Sequence, residues 1–66
     1  MTIDRGFLEA VTSSGTKLAV HVKNIVCITQ GAENRATLHT RWGVHVLEDT
    51  YDDVVKKLKE EAILHS

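Results

Sequence analysis

Trp42-Gly43-Val44-His45-Val46-Leu47-Glu48-Asp49-Thr50-Tyr51-Asp52-Asp53-Val54-Val55-Lys56-Lys57-Leu58 holds a turn, a short apolar strand, an acidic helix entry and an amphipathic helix in immediate succession. Thr50 reads as the helix N-cap, with Asp53 three residues on in an approximate capping box. Asp52 and Asp53 fall in the first turn, where negative charge suits the helix dipole. Tyr51, Val54, Val55, Leu58 and Ala62 recur at helical spacing and form one apolar stripe, and Lys56, Lys57, Lys59 and Glu60 cover the rest. A helix is expected over 50–64.

Upstream, strand patterns replace helical ones. Leu18, Val20 and Val22 alternate with Lys17, His21 and Lys23, the period-2 signature of a strand with one buried face. Ser13-Ser14-Gly15-Thr16 before it has hairpin-loop chemistry. Phe7 to Thr12 is a weaker strand candidate, and residues 1–5 read as a flexible lead, frayed or at an edge. Beyond Asn24, Ile25-Val26-Cys27-Ile28-Thr29-Gln30 resumes with β-branched residues. After the Gly31-Ala32-Glu33-Asn34 loop, Arg35 to Thr40 and Val44 to Glu48 are strands joined at Arg41-Trp42-Gly43. The expectation is one α+β domain over 1–66: a small twisted antiparallel β-sheet of four to five strands within 7–48, covered by one C-terminal amphipathic helix.

Size and charge narrow the function classes. A chain of 66 residues buries only about 60% of the surface its unfolded form exposes, so a supplement to its core is expected. Cys27 is the single cysteine, which excludes an internal disulfide, and the four histidines lack the partners of a structural zinc site. Self-association into a homo-oligomer is the remaining supplement. Net charge is −1. The densest basic run, Lys56-Lys57-Lys59, leads directly into Glu60-Glu61, which argues a solvated helix face and against a nucleic-acid surface. No apolar run has transmembrane length, and Met1 to Arg5 has no signal-peptide core. No membrane insertion and a cytoplasmic setting are expected.

The residues from Gly15 to Leu58 resemble the FlbD family of small flagellar-motility proteins. The features that carry the likeness are the glycine turn, Leu18-x-Val20-x-Val22, Asn24-Ile25-x-x-Ile28, Thr37-Leu38, Gly43, Val46, and the acidic helix entry Glu48-Asp49-Thr50-Tyr51-Asp52-Asp53-Val54-Val55. Thr50 stands where the family has Ser. The resemblance implies the same small fold and a link to flagellar motility.

Candidate chemistry is sparse. His21, His39 and His45 each sit at an outward strand position, and a three-residue loop at Arg41-Trp42-Gly43 would make His39 and His45 cross-strand neighbours. Without a Cys or carboxylate joining them they read as exposed sheet histidines rather than metal ligands. Arg41 and Trp42 share a turn, where a large aromatic is unexpected. The pair either offers an interface hot spot or Trp42 folds back to cap the core. Cys27, within an apolar run, reads as a buried structural thiol. Asp49, Asp52 and Asp53 lack the spacing and glycine of a calcium loop. No nucleophile–base pair is present to suggest an enzyme, and no cofactor is implied.

The function expected is a non-enzymatic binding or adaptor protein using Arg41, Trp42, His39, His45 and His21, with a protein partner. The alternative is a phage- or mobile-element-encoded oligomer that sequesters a small anionic ligand such as a nucleotide. Arg would pair with its phosphate and an aromatic would stack on its base.

Overall fold

Six strands and one helix follow from the turn chemistry between the apolar runs. They are β1 (Thr2–Asp4), β2 (Phe7–Val11), β3 (Lys17–His21), β4 (Ile25–Gln30), β5 (Arg35–Thr40), β6 (Gly43–Thr50) and α1 (Tyr51–His65). The computed structural model describes residues 1–65, with side chains through Glu61. The Ala62 position of the expected apolar stripe lies outside the described side chains.

The class is α+β as expected, but the strands form two antiparallel sheets, β1-β2-β3 and β4-β5-β6, rather than one. The division falls at a 3₁₀ turn, Val22–Asn24, that redirects the chain between β3 and β4. The Nδ1 of His21 accepts the amide of Lys23 at its start. Residues 1–5 contribute a strand rather than a flexible lead. Arg5 and Gly6, at φ 53° and 83°, form a two-residue hairpin turn that pairs Asp4 with Phe7. Positive φ at both central positions gives the turn a twist that matches antiparallel strands.

The core lies between the two sheets and the helix. Leu8, Ala10 and Val20 come from the first sheet, Ala36, Leu38 and Leu47 from the second, and Val54 from α1. No polar or charged side chain is buried among the described residues. Leu8, Leu38, Leu47 and Val54 are fully buried, each contributing about 1.5–3 kcal/mol through removal from water. The sheets meet where Thr12 bridges Leu47 and the amide of Ser13 donates to the carbonyl of Val46 at 2.8 Å. Strand β6 reaches that junction by bending: Leu47, Glu48 and Asp49 lie opposite Ala36 alone, a bulge that increases local twist.

Helix α1 packs across β1, β4, β5 and β6. Its first turn is capped as the sequence predicts, with the Asp53 amide donating to Thr50 Oγ1 at 3.2 Å. Tyr51, Val55 and Leu58 flank Val54 as the half-buried members of the stripe. Among the described residues, no helix is long and apolar enough to cross a membrane.

Candidate binding groove

The β5–β6 connection is a two-residue turn. Thr40 pairs with Gly43, leaving Arg41 and Trp42 at the tip. Neither turn residue has positive φ, so the turn lacks the backbone twist that usually closes such hairpins. The Thr40 hydroxyl compensates. Its Oγ1 accepts from the amides of Trp42 and Gly43, at 3.2 and 3.1 Å, and donates to the Gly43 carbonyl at 3.0 Å. Arg41 is tied down by its amide, which donates to the Asn24 carbonyl at 3.1 Å. On this pinned turn Trp42 is 76% exposed. Of its two readings, capping the core is the one the structure excludes.

Turn length also decides where the histidines go. With two residues in the turn, His39 pairs with Val44, and His45 pairs with Leu38. The three-residue loop, and with it a His39–His45 neighbour pair, does not form. Paired residues of an antiparallel ladder share a face, so His45 lies on the core-side face of its sheet with Leu38. His39 takes the outer face, where its Nε2 shares a 2.9 Å hydrogen bond with Thr29 Oγ1.

His45 instead shares a groove with His21. Both line a groove of about 380 Å³ between β3 and the Arg41–Trp42 turn, together with Phe7, Asn24, Thr40 and Trp42. His21 is positioned from three sides. Phe7, its cross-strand partner, meets it edge-on with ring centroids 5.0 Å apart at 75°. The Lys23 amide occupies Nδ1 at 3.2 Å, which leaves the ring proton to Nε2 in the neutral imidazole. Gly6 leaves room for the ring: a Cβ there would stand 3.2 Å from Nε2.

Phe7, Asn24, Thr40 and the β3 run Leu18, Ala19 and Val20 are the groove residues that sequence reading missed. Phe7 was visible as the outward neighbour of inward Leu8, and Thr40 as a hydroxyl residue preceding a turn. Asn24 was visible as the residue that interrupts the strand alternation, since asparagine tolerates turns. Arg41, although at the turn, does not line the groove.

Cys27 is exposed rather than buried. A bulge between Ile25 and Cys27 breaks the β4 register. An extra residue resets the alternation, so Val26 and Cys27 are both exposed while Ile25 and Ile28 pack against the core. Among the described residues, no group of three His, Cys, Asp or Glu side chains is placed to hold a metal ion, and the groove lining contains neither thiol nor carboxylate. What it offers is aromatic surface, imidazole nitrogens and polar Asn and Thr groups, which suit recognition of a bound group.

Comparison of the chain with protein-family models, with curated proteins and with solved structures returns no match.

Proposed function

We propose that this chain is a non-enzymatic binding or adaptor module that engages its partner through Trp42, Arg41 and the groove histidines His21 and His45. The observation that carries the reading is the exposed indole of Trp42 on a turn held by the Thr40 hydroxyl. An exposed tryptophan on an ordered backbone loses little conformational entropy on binding, and Trp and Arg are the residue types that dominate interface energetics. The resemblance from Gly15 to Leu58 supports a role in flagellar motility, exercised in the cytoplasm.

Self-association belongs to the same reading. Val44 and Val46 are exposed on the outer face of the β4–β6 sheet, the face that carries His39, and Val26 is exposed on the edge strand β4. Apolar surface of this kind, on a domain with so small a core, supports a homo-oligomer.

A photo-reactive phenylalanine analogue in place of Trp42, with the same analogue at Glu60 as control, tests the reading in the producing cell. A discrete cross-linked product from position 42 alone is expected. Equal labelling from both positions would remove the basis for the site.

The groove itself favours a second reading, capture of a small anionic ligand such as a nucleotide by a phage- or mobile-element-encoded oligomer. Its volume of about 380 Å³ lies in the range of small-molecule sites, and its lining has no carboxylate to repel a phosphate. Nucleotides that raise the melting temperature would support this, because a ligand bound only by the folded state adds stability. An unchanged melting temperature would remove it.

A further inference from the structure

Each sheet has edge strands, and most of them are blocked. Strand β1 is three residues long and lies against α1. Strand β4 carries the Ile25–Cys27 bulge. Strand β6 is bent, and its Val46 carbonyl and Leu47 are engaged by Ser13 and Thr12. Short length, bulges and covering segments are the usual ways of protecting an edge. Strand β3 has none of them: its five residues pair with β2 in unbroken register.

The hydrogen-bond phase of β3 can be derived. The Val22 amide donates to the Gly6 carbonyl and the Thr12 amide to the Thr16 carbonyl, both at 2.8 Å. Both contacts lie in the β2–β3 register, and hydrogen-bonded pairs alternate along an antiparallel ladder. Leu18 and Val20 therefore direct their backbone groups to β2. The amide and carbonyl of Ala19 and the amide of His21 point away from it. They point along the groove, whose lining includes the consecutive run Leu18, Ala19, Val20 and His21. Residues of both parities line it, with Phe7 of β2 at one end, as expected of a groove that reaches the strand's open edge.

We propose that this edge is a strand-addition site: an extended peptide with apolar residues at its centre and carboxylates at its ends docks along β3, bonding Ala19 and His21 and placing a side chain against Trp42. The proposal rests on the binding role given above and names the partner. Edge pairing supplies affinity through main-chain hydrogen bonds, and adjoining pockets supply specificity. The preference for acidic ends follows from charge. Lys17 and Lys23 bracket β3 and Arg41 stands at the opposite turn, all exposed. The Arg35–Glu33 ion pair lies away from this edge. Glu9, on β2 directly opposite Ala19, lies outside the groove lining. A single extended segment suits the groove better than a second copy's sheet edge. That sheet would bring its next strand about 4.8 Å further on, towards the bank formed by Thr40, Trp42 and His45.

The test selects binders to the whole chain from a displayed library of random short peptides, then follows amide hydrogen exchange with a selected synthetic peptide. Peptides with carboxylates flanking an apolar centre are expected, and they should slow exchange at Ala19 and His21 while Leu18 and Val20 are slow throughout. Ala19→Pro removes an outward donor and leaves the β2 ladder intact, so it should weaken binding roughly tenfold, the effect of one backbone hydrogen bond. N-methylation of alternate peptide amides gives an independent readout that leaves the protein unaltered, and should abolish binding in one phase only. Peptides that need Trp42 but leave Ala19 and His21 unprotected would overturn strand addition and preserve the binding role. Protection of Ala19 and His21 that grows with protein concentration, without peptide, would assign the edge to a second copy and overturn the proposal. Failure to select any peptide, together with no cross-link from position 42, would overturn both readings.

Discussion

His45 stands directly across from Leu38 in the β5–β6 ladder. That pairing, set by a two-residue rather than a three-residue turn, places one imidazole at the groove and leaves His39 on the opposite face. The surface proposed for binding therefore depends on the hydroxyl that holds the turn.

Thr40→Val keeps the shape of the side chain and removes its hydroxyl. The three contacts to Trp42 and Gly43 are lost, and a stability loss of about 1–2 kcal/mol is expected. Urea denaturation measures it, and Trp42 fluorescence anisotropy should fall as the turn loosens. Unchanged anisotropy would show that the hydroxyl does not order the indole.

Trp42→Ala separates binding from folding. At 76% exposure the ring contributes little to the core, so stability should change by no more than about 0.5 kcal/mol. Leu38→Ala, at a fully buried position, should cost about 2–5 kcal/mol and leave a partly unfolded chain by circular dichroism. A Trp42→Ala variant as unstable as Leu38→Ala would mean that the indole serves the core.

Gly6→Ala combines two costs. The backbone has φ +83° and the new Cβ would stand 3.2 Å from His21 Nε2, so a loss of about 1–3 kcal/mol is expected. Adding His21→Ala should recover the contact and leave the backbone strain. A double-mutant cycle in denaturant measures that coupling. Additive losses would show that Gly6 is not there to accommodate the imidazole.

Glu33→Asn should stabilise the β4–β5 hairpin. Glu33 and Asn34 have φ 58° and 63°, a conformation that costs an ordinary residue about 1–2 kcal/mol and that asparagine adopts more readily. The exposed pair of Glu33 with Arg35, at 3.3 Å, would be lost at a cost of no more than about 1 kcal/mol. A modest rise in melting temperature is the expected result, and a fall would show that the ion pair outweighs the backbone term.

These cases also show where the fold was legible. Alternation located β3 and its inward side, and the capping residue Thr50 located the start of α1, because both are local signals. The apolar run around Cys27 misled, since burial was read from the run; Cys27 alternates outward from Ile28, and the bulge between Ile25 and Cys27 exposes Val26 as well. The split into two sheets was hidden in Val22–Asn24, whose 3₁₀ turn is held by tertiary contacts to Gly6 and Arg41. Strand β1 was missed because Arg5-Gly6 lacks the usual Asn-Gly form of its turn. At the site, Arg41 and Trp42 stood out by residue type. Grouping His21 with His45 needed the register, which depends on turn length.

The most direct measurement is native mass spectrometry of the protein purified from the cells that make it, with Trp42→Ala alongside. The binding account predicts a defined homo-oligomer carrying additional mass, which Trp42→Ala loses while staying folded. A peptide-sized or protein-sized increment supports the adaptor reading, and one of a few hundred daltons supports the small anionic ligand. A bare monomer for both proteins would contradict the account.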